Sequence, residues 1–506
     1  MNIDIEFGGI KIWIGIDDTD SRTHGCTTYL IFELIKEFSE YSLIGYPHLV
    51  RLNPNIPWKT RGNGAICIQL DRENKIDNEK MRIGIHEYGE PIFSHRKIIS
   101  QKLQNASYDK LTQAAERVDS IITKKAALED ATTNPGVVVT EGALPIELYW
   151  SAVRNVVELK KIKQQFDLSR VVYKGYKKGR GIIGASAAIA WGSNVDMSTQ
   201  EEMFNKSSIK ASNELKKRIQ PLDNTYELIA YRNPSRFGTQ RLVNPETVME
   251  LDLRYPSTFN NYDYESQHVV ITPNSPCPVL FGVRGDLKDD LLGAKTLLAD
   301  TCEIIDKWII FNTNQGTDDH LIATKISSIN PYSSVIVTGE VTERPKTING
   351  GHVLFEIQES NEKNINAMKI TCAAYEPTKS FRNITRGLLP GDTISVYGGV
   401  RAEPKTINIE KLSIIDLVQQ PTKLHNPRCP SCGRAMKSIG KDKGYRCRKC
   451  HKHQVTRAED VVFQSSRRDL SIGFYEVPVA ARRHLSKPLK RFNIYPGQEP
   501  EPPKSF

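Results

Sequence analysis

The sequence predicts a multidomain α+β protein, and three observations carry that reading. A strand, an acidic turn and a helix open the chain between Ile10 and Phe38. Strands and helices alternate between Tyr226 and Phe311, the pattern of a small ferredoxin-like sandwich. Five short strands at regular spacing follow between Val335 and Ile415, which fit an OB-fold β-barrel. At 506 residues the chain has room for three or four domains.

Composition narrows the class. Hydrophobic residues make 39% of the chain and charged residues 25%, as in soluble globular proteins. No apolar run approaches a membrane span, and the start MNIDIEFGG lacks the basic and apolar parts of a signal peptide. Nine cysteines in so long a chain do not make a secreted disulfide framework. The expectation is a cytoplasmic protein without membrane contact. The net charge of +10 is local: residues 421–506 carry 19 Lys and Arg against seven acidic residues. The rest is near neutral, so a polyanion partner is expected at the C-terminal end.

The opening stretch is the most informative. Ile10, Ile12, Ile14 and Ile16 alternate with Lys11, Trp13 and Gly15, which reads as a strand. Asp17, Asp18 and Asp20 follow at its end. A helix begins near Cys26, Thr27 and Thr28, with Leu30, Ile31, Leu34, Ile35 and Phe38 at helical period. Carboxylates at such a place hold Mg²⁺ and leave positions open for phosphates. A helix start offers free N–H groups to phosphate as well. Alternatively the segment is an acidic loop with an N-cap threonine, but three close carboxylates repel unless a cation sits among them.

The loop Asn53–Gly64 is broken by prolines and glycines and precedes a strand, Ala65 to Leu70. Lys59 and Arg61 suit phosphate oxygens, with Gly62 and Gly64 allowing close approach, or the loop is simply solvated. Residues 76–130 read as polar and mostly helical, and Pro145 to Phe166 as one amphipathic helix. Gly179, Arg180, Gly181 and Gly184 match G-x-G-x-x-G ahead of an Ala-rich helix. The dinucleotide fingerprint fails here, because the strand is offset and only Glu201 and Glu202 follow. A phosphate-side loop at Arg180 and Gly181, or tight helix packing, fits better. Polar residues 193–218 mark a boundary. In the second unit the strands are Tyr226 to Tyr231, Val269 to Thr272 and Trp308 to Phe311, with helices near Pro245 and over Leu287 to Ala299. The last strand runs into Asn312–His320, which holds Asp318 and Asp319.

Cys429, Cys432, Cys447 and Cys450 form two C-x-x-C knuckles with fourteen residues between them. Four thiolates so spaced reach one tetrahedral Zn²⁺, and a unit this small needs the metal to fold. A redox C-x-x-C would not come as a pair. Lys437, Lys441, Lys443, Arg446, Arg448 and Lys449 decorate the ribbon. Beyond it stand Arg467, Arg468, Arg482, Arg483, Lys487, Lys490 and Arg491, with Phe474, Tyr475 and Phe492 among them. Mixed basic and aromatic residues are the footprint of RNA binding.

GIDDTDSRTHGCTTY, NPNIPWKTRGNGA, GRGIIGA, TNQGTDDH and the CPSC/CRKC ribbon stand in the order of the archaeal isoleucine-tRNA 2-agmatinylcytidine synthetases. The chain resembles that family from about residue 10 to about residue 490. The resemblance implies a kinase-like α/β catalytic domain over 1–205, a ferredoxin-like domain over 206–328 and an OB-fold over 329–420. It implies a zinc ribbon over 421–460 and a basic extension over 461–506. It implies an enzyme that uses ATP to activate the 2-keto oxygen of the wobble cytidine in the CAU anticodon of isoleucine tRNA. Agmatine then replaces that oxygen, AMP and phosphate leave, and the tRNA reads AUA. Carried over by position, Asp17, Asp18 and Asp20 match the magnesium- and ATP-binding acids, and Thr27 the threonine that takes up phosphate. Thr28, Lys59, Arg61, Gly62, Gly64, Arg180 and Gly181 fall on the ATP and phosphate side. His24 stands where the family has glycine, with Gly25 next to Cys26. Agmatine is a dication, so its pocket needs carboxylates, and Asp263, Asp318 and Asp319 are the candidates.

Two function classes stand against each other. One is this synthetase. The other is a zinc-ribbon and OB-fold RNA-binding protein without the catalysis. The acidic strand end separates them, because RNA binding alone has no use for three adjacent carboxylates.

Overall fold

The computed structural model describes residues 11–23, 25–71, 80–95, 108–166, 170–198, 222–359, 368–440, 444–454, 462–466 and 468–492. His24, Glu201, Glu202, Lys441, Lys443 and Arg467 lie outside the described residues.

The isoleucines of the first strand decide the layering. Strand β1 (Lys11–Asp17) is buried on both faces from Ile12 onward, so it lies inside a sheet covered on two sides. Ile12, Ile14 and Ile16 pack on helices α1 (Leu30–Glu37) and α2 (Tyr108–Lys125). Trp13, on the other face, packs on α3 (Glu147–Arg154), α4 (Leu159–Phe166) and α5 (Gly181–Ser198). Alanines 185, 187, 188 and 190 let α5 lie close to the sheet. The remaining strands of this region are β2 (Ser42–Arg51), β3 (Gly64–Asp71), β4 (Lys80–Ile85), β5 (Pro91–His95), β6 (Gly136–Thr140) and β7 (Val171–Gly175). β1 is antiparallel to both neighbours, β3 and β6.

The second region adds β8 (Thr225–Arg232), α6 (Pro245–Arg254), β9 (Thr258–Phe259), β10 (Tyr262–Asp263), β11 (His268–Val269), β12 (Val279–Gly285), α7 (Lys288–Ala299) and β13 (Ile305–Thr313). Its sheet is continuous with the first. β13 pairs with β8, with β4 and, at its far end, with β2 in parallel. The result is one sheet of eleven strands in the order β7-β6-β1-β3-β2-β5-β4-β13-β8-β12-β9.

Three local readings are corrected. Residues 76–130 hold a helix over Tyr108–Lys125, but Lys80–His95 is a hairpin of β4 and β5 turned at Glu87–Gly89. Its alternation, Met81 and Ile83 inward against Lys80 and Arg82, is short and diluted by polar flanks. The helix from Pro145 is two helices, because Asn155 is extended (φ −126°, ψ 172°) and ends α3. The strand expected over Val269 to Thr272 is only the bridge His268–Val269.

A closed barrel follows. β14 (Leu321–Ala323) and β15 (Ser334–Val341) lead into β16 (Lys346–Thr347), β17 (Val353–Gln358), β18 (Lys369–Ala374), β19 (Thr393–Arg401) and β20 (Thr406–Asp416). Pairing runs β15-β19-β20-β18-β17 and back to β15, which closes the ring. Val337, Phe355, Ile357, Val396 and Leu412 fill it. Beyond β20 the chain leaves through Gln420–His425, which pairs with Val462–Ser466. Cys429–Cys450 lie between those strands. The chain then returns: Gly473–Glu476 adds a strand to β20, and residues 477–492 run back over the large sheet. No helix among the described residues is long and apolar enough to cross a membrane.

Candidate active site

The end of β1, the start of α5 and the loop Asn53–Gly64 surround a cleft of about 800 Å³. Asp17, Asp18 and Asp20 line it, with Thr27, Thr28, Lys59, Arg61, Gly62, Gly64 and Arg180. So two motifs far apart in sequence share one cavity with the glycine-rich turn. Gly181 is not at its surface. A Cβ on Gly181 would lie 2.3 Å from Gly136 N and 2.6 Å from the Asp17 carbonyl, and one on Gly184 1.9 Å from Asp17 Oδ2. These glycines let the start of α5 press on the acidic strand end.

The turn after β1 is shaped by its own side chains. Asp18 sits at φ +57° and its Oδ2 accepts the Asn134 N–H at 3.0 Å. Asp20 meets Arg61 Nε at 3.3 Å and accepts from Thr60 Oγ1 at 3.3 Å. Arg61 also donates to the carbonyls of Ser21 at 2.6 Å and Gly25 at 2.9 Å, fastening the loop to the turn. Gly25, at φ +76°, takes a conformation that a side chain would strain. Thr27 Oγ1 lies 3.0 Å from Thr19 Oγ1, in the single 3₁₀ turn before α1.

Burial dominates the electrostatics of the acids. It pushes Asp17 well above the carboxylate range, with Asp18 adding repulsion. Burial likewise lifts Asp18 to about 7 against the pull of the Asn134 N–H, and raises Asp20 against the pull of Arg61. Three crowded carboxyl groups that burial and mutual repulsion keep from ionising would gain from a hard cation such as Mg²⁺ among them. Burial, with Arg483 nearby, lowers Lys59 to about 8. Arg180 stacks 4.8 Å from the centre of the Trp58 ring.

The loop is anchored to the barrel. Asn53 Nδ2 donates to Tyr332 O and Asn55 Nδ2 to Ser333 O, both at 2.9 Å. None of Asp263, Asp318 and Asp319 lines the cleft. Asp263 accepts the N–H groups of Glu265, Ser266 and Ala480. Asp318 holds Lys411 Nζ at 2.6 and 2.7 Å. Asp319 accepts the Tyr149 hydroxyl, and burial raises it to about 6.

Sequence reasoning missed part of the cleft. Arg51, Glu227 and Arg284 line it, as do Arg482, Arg483 and His484 from the returning C-terminal segment. The tail arginines read as an RNA footprint are largely spent inside the molecule. Arg468 pairs with Asp392, Arg482 with Glu476, Arg483 with Glu410, and Arg491 with Asp223 and Asp286. The cations Arg51, Arg284 and Lys59, with burial, hold His484 well below its ordinary value, Arg51 contributing most.

Family models match in the same order as these regions. The TiaS TCKD domain matches residues 13–178, the TiaS FLD domain 179–320 and the TiaS C-terminal zinc ribbon domain 426–469. The isoleucine-tRNA 2-agmatinylcytidine synthetase TiaS of Archaeoglobus fulgidus is 37% identical over 493 residues, covering 96% of this chain and 98% of the relative. The chain belongs to the TiaS family. The TiaS of Methanocaldococcus jannaschii is 36% identical, with 96% of this chain and 100% of the relative covered. A crystal structure of a TiaS in complex with its isoleucine tRNA and ATP superposes with TM-score 0.73 at 35% identity, over 97% of this chain and 99% of that one. Another, of a TiaS with the same tRNA, AMPCPP and agmatine, gives 0.70 at 33%, with 97% and 99% covered.

The TiaS zinc ribbon has its donor set in place here. The sulfurs of Cys429, Cys432, Cys447 and Cys450 all lie within 4.8 Å of one another. The Cys450 N–H, 3.4 Å from Cys447 Sγ, does most to draw that thiol down to about 7, towards the thiolate a metal takes. Four such sulfurs fit one Zn²⁺.

Proposed function

We propose that the chain is the ATP-dependent ligase that joins agmatine to the wobble cytidine of isoleucine tRNA with a CAU anticodon. AMP and phosphate leave, and the modified tRNA decodes AUA. The observation that carries the reading is the cleft, where three carboxylates meet Lys59, Arg61 and Arg180 in a chain of this family from end to end. A zinc-ribbon RNA-binding protein without catalysis would leave that cleft without a purpose.

The roles divide by chemistry. Asp17, Asp18 and Asp20 would hold Mg²⁺, which would supply charge neutralisation to the transferring phosphoryl oxygens. Lys59, Arg61 and Arg180 bind the phosphates of ATP, with Thr28, Gly62, Gly64 and Gly181 shaping that side. Thr27 presents its hydroxyl to phosphate from the 3₁₀ turn. The cytosine 2-carbonyl is a poor electrophile, and phosphorylating its oxygen gives agmatine a leaving group to displace. The base must leave its stack to reach the cleft. Asp263, Asp318 and Asp319 are the carboxylates proposed on the agmatine side; in the free protein each stands behind the cleft wall, held by the Ala480 N–H, by Lys411 and by Tyr149.

The architecture proposed with this function is a kinase-like domain to about residue 205 and a ferredoxin-like domain to 328. An OB-fold to 420, a zinc ribbon to 460 and an extension to 506 complete it. Strand order 1-2-3-5-4 around the barrel supports the OB-fold. A cytoplasmic location follows from the substrate. The test is mass analysis of isoleucine tRNA after incubation with the protein, ATP, Mg²⁺ and agmatine. The expected product gains one agmatine less one water; unchanged tRNA overturns the reading.

A further inference from the structure

A second group of charged side chains lines the same cleft, carried by β2, β8, β12 and the returning C-terminal segment rather than by the acidic turn, with Asp20 within electrostatic reach of Arg51. Arg51 closes β2 with only 15% of its side chain exposed, and its Nε has no hydrogen-bond partner among the described residues. The carboxylate facing it, Glu227 on β8, is 3.9 Å from Nη2. That carboxylate is already engaged. Arg284 Nε on β12 forms an ion pair with Oε1 at 3.0 Å without hydrogen-bond geometry, and Gln315 Nε2 donates to Oε2. Two guanidiniums therefore share one acid and keep a net positive charge. His484 joins them: a Cβ on Gly62 would lie 2.6 Å from Arg51 Nη1 and 3.5 Å from His484 Nε2. Four separate stretches of chain converge at this point.

A buried guanidinium with open donors is costly unless something fills them. Its planar fork matches two oxygens of a phosphate. We propose that Arg51, Arg284 and His484 form a second phosphate site in the cleft, distinct from the acidic turn, and that a substrate phosphate completes the hydrogen bonds of Arg51. The inference rests on the proposed function in one respect: two phosphate-bearing substrates, a nucleoside triphosphate and an RNA backbone, then enter this cleft. Glu227 and Gln315 are positioning residues. They set the spacing of the two guanidiniums and touch no substrate.

The experiment uses the full chain and the variants Arg51→Met, Arg284→Met and Arg51→Lys, each checked for a native melting transition. Two bindings are measured, ATP with Mg²⁺ by calorimetry and isoleucine tRNA at several salt concentrations. If an RNA phosphate fills the site, either Met variant weakens tRNA binding about tenfold and flattens its salt slope by about one phosphate contact, with ATP affinity unchanged. If a phosphate of ATP fills it, ATP binding weakens about tenfold and the tRNA slope stays. Both outcomes support a phosphate site and name its source. Arg51→Lys keeps the charge without the planar fork, so it should recover the salt slope but only part of the lost affinity. Native ATP and tRNA binding in both Met variants overturns the proposal, leaving the arginines as braces for Glu227. Turnover of tRNA by the unaltered protein is scored separately, so failure of the enzymatic reading shows there and not in these comparisons.

Discussion

Asn314 grips Arg51 by its backbone on both sides: Oδ1 accepts the Arg51 N–H at 2.7 Å, and Nδ2 donates to the Arg51 carbonyl at 2.9 Å. The same Nδ2 donates to the Tyr149 hydroxyl at 2.9 Å. One buried amide thus sets where β2 ends and where its last side chain enters the cleft. Asn314→Ala removes three hydrogen bonds and leaves the Arg51 N–H and C=O unpaired, and should cost roughly 3 kcal/mol, about three net hydrogen bonds. Equilibrium unfolding in urea checks it. A midpoint equal to that of the unaltered protein would contradict the grip.

The acidic turn should matter for chemistry rather than folding. Asp17→Asn and Asp18→Asn keep side-chain size and remove one charge from a crowded, buried set. Product formation should fall at least ~10²-fold, as when one preorganised electrostatic group is lost. Melting and tRNA binding should stay near normal. Thr27→Ala should be inactive and Thr27→Ser partly active. Conversion of isoleucine tRNA at saturating ATP and agmatine decides it, and unaltered turnover would remove the turn from the active site.

Lys59 gives the cleft a pH signature. Burial lowers it to about 8, so it loses its proton between about pH 7 and 9. Affinity for the phosphates of ATP should decline over that range. The decline should be absent in Lys59→Arg, which stays charged, and in Lys59→Met, which binds weakly throughout. The free protein should move the other way. With the folded value below the unfolded one of ~10.4, the unfolded chain binds more protons above about pH 8, so stability rises as pH climbs from 8 towards 10. Calorimetric titrations at four or five pH values would expose a flat profile, the result that excludes Lys59.

The ribbon should carry one zinc per chain. Cys432→Ser should release it and lower tRNA affinity, with the barrel and ATP binding preserved, since the four sulfurs form a cluster apart from the cores of the large sheet and the barrel. Elemental analysis showing no zinc in the unaltered protein would refute the assignment.

Truncation should be harsher than excision. A chain ending at Val418 lacks the strand Gly473–Glu476 and the cleft residues Arg482, Arg483 and His484. It should lose ATP binding and melt early. A chain lacking only 426–454, with the stem rejoined, should keep both. Equal ATP affinity in the two would show that the returning segment is dispensable.

Local cues were legible and distant convergence was not. The five barrel strands show up in sequence because alternation and turn residues are set within each strand. The acidic turn stood out because three carboxylates in four residues need an explanation. The β4–β5 hairpin was hidden by polar flanks that outweigh its few inward apolar residues. Arg51, Glu227, Arg284 and His484 carried no local mark, being ordinary residues in a strand, two more strands and a tail. Only folding joins partners such as Asn55 and Arg483, 428 positions apart.

The returning segment also sets a schedule. Because Arg482, Arg483 and His484 complete the wall of a cleft whose first residue is Asp17, the cavity cannot close until synthesis has carried His484 out of the ribosome. Domains fold in order of emergence, so the eleven-stranded sheet and the barrel stand ready while their shared cavity still lacks a side. A chain that stops before Arg482 lacks one wall of the cleft.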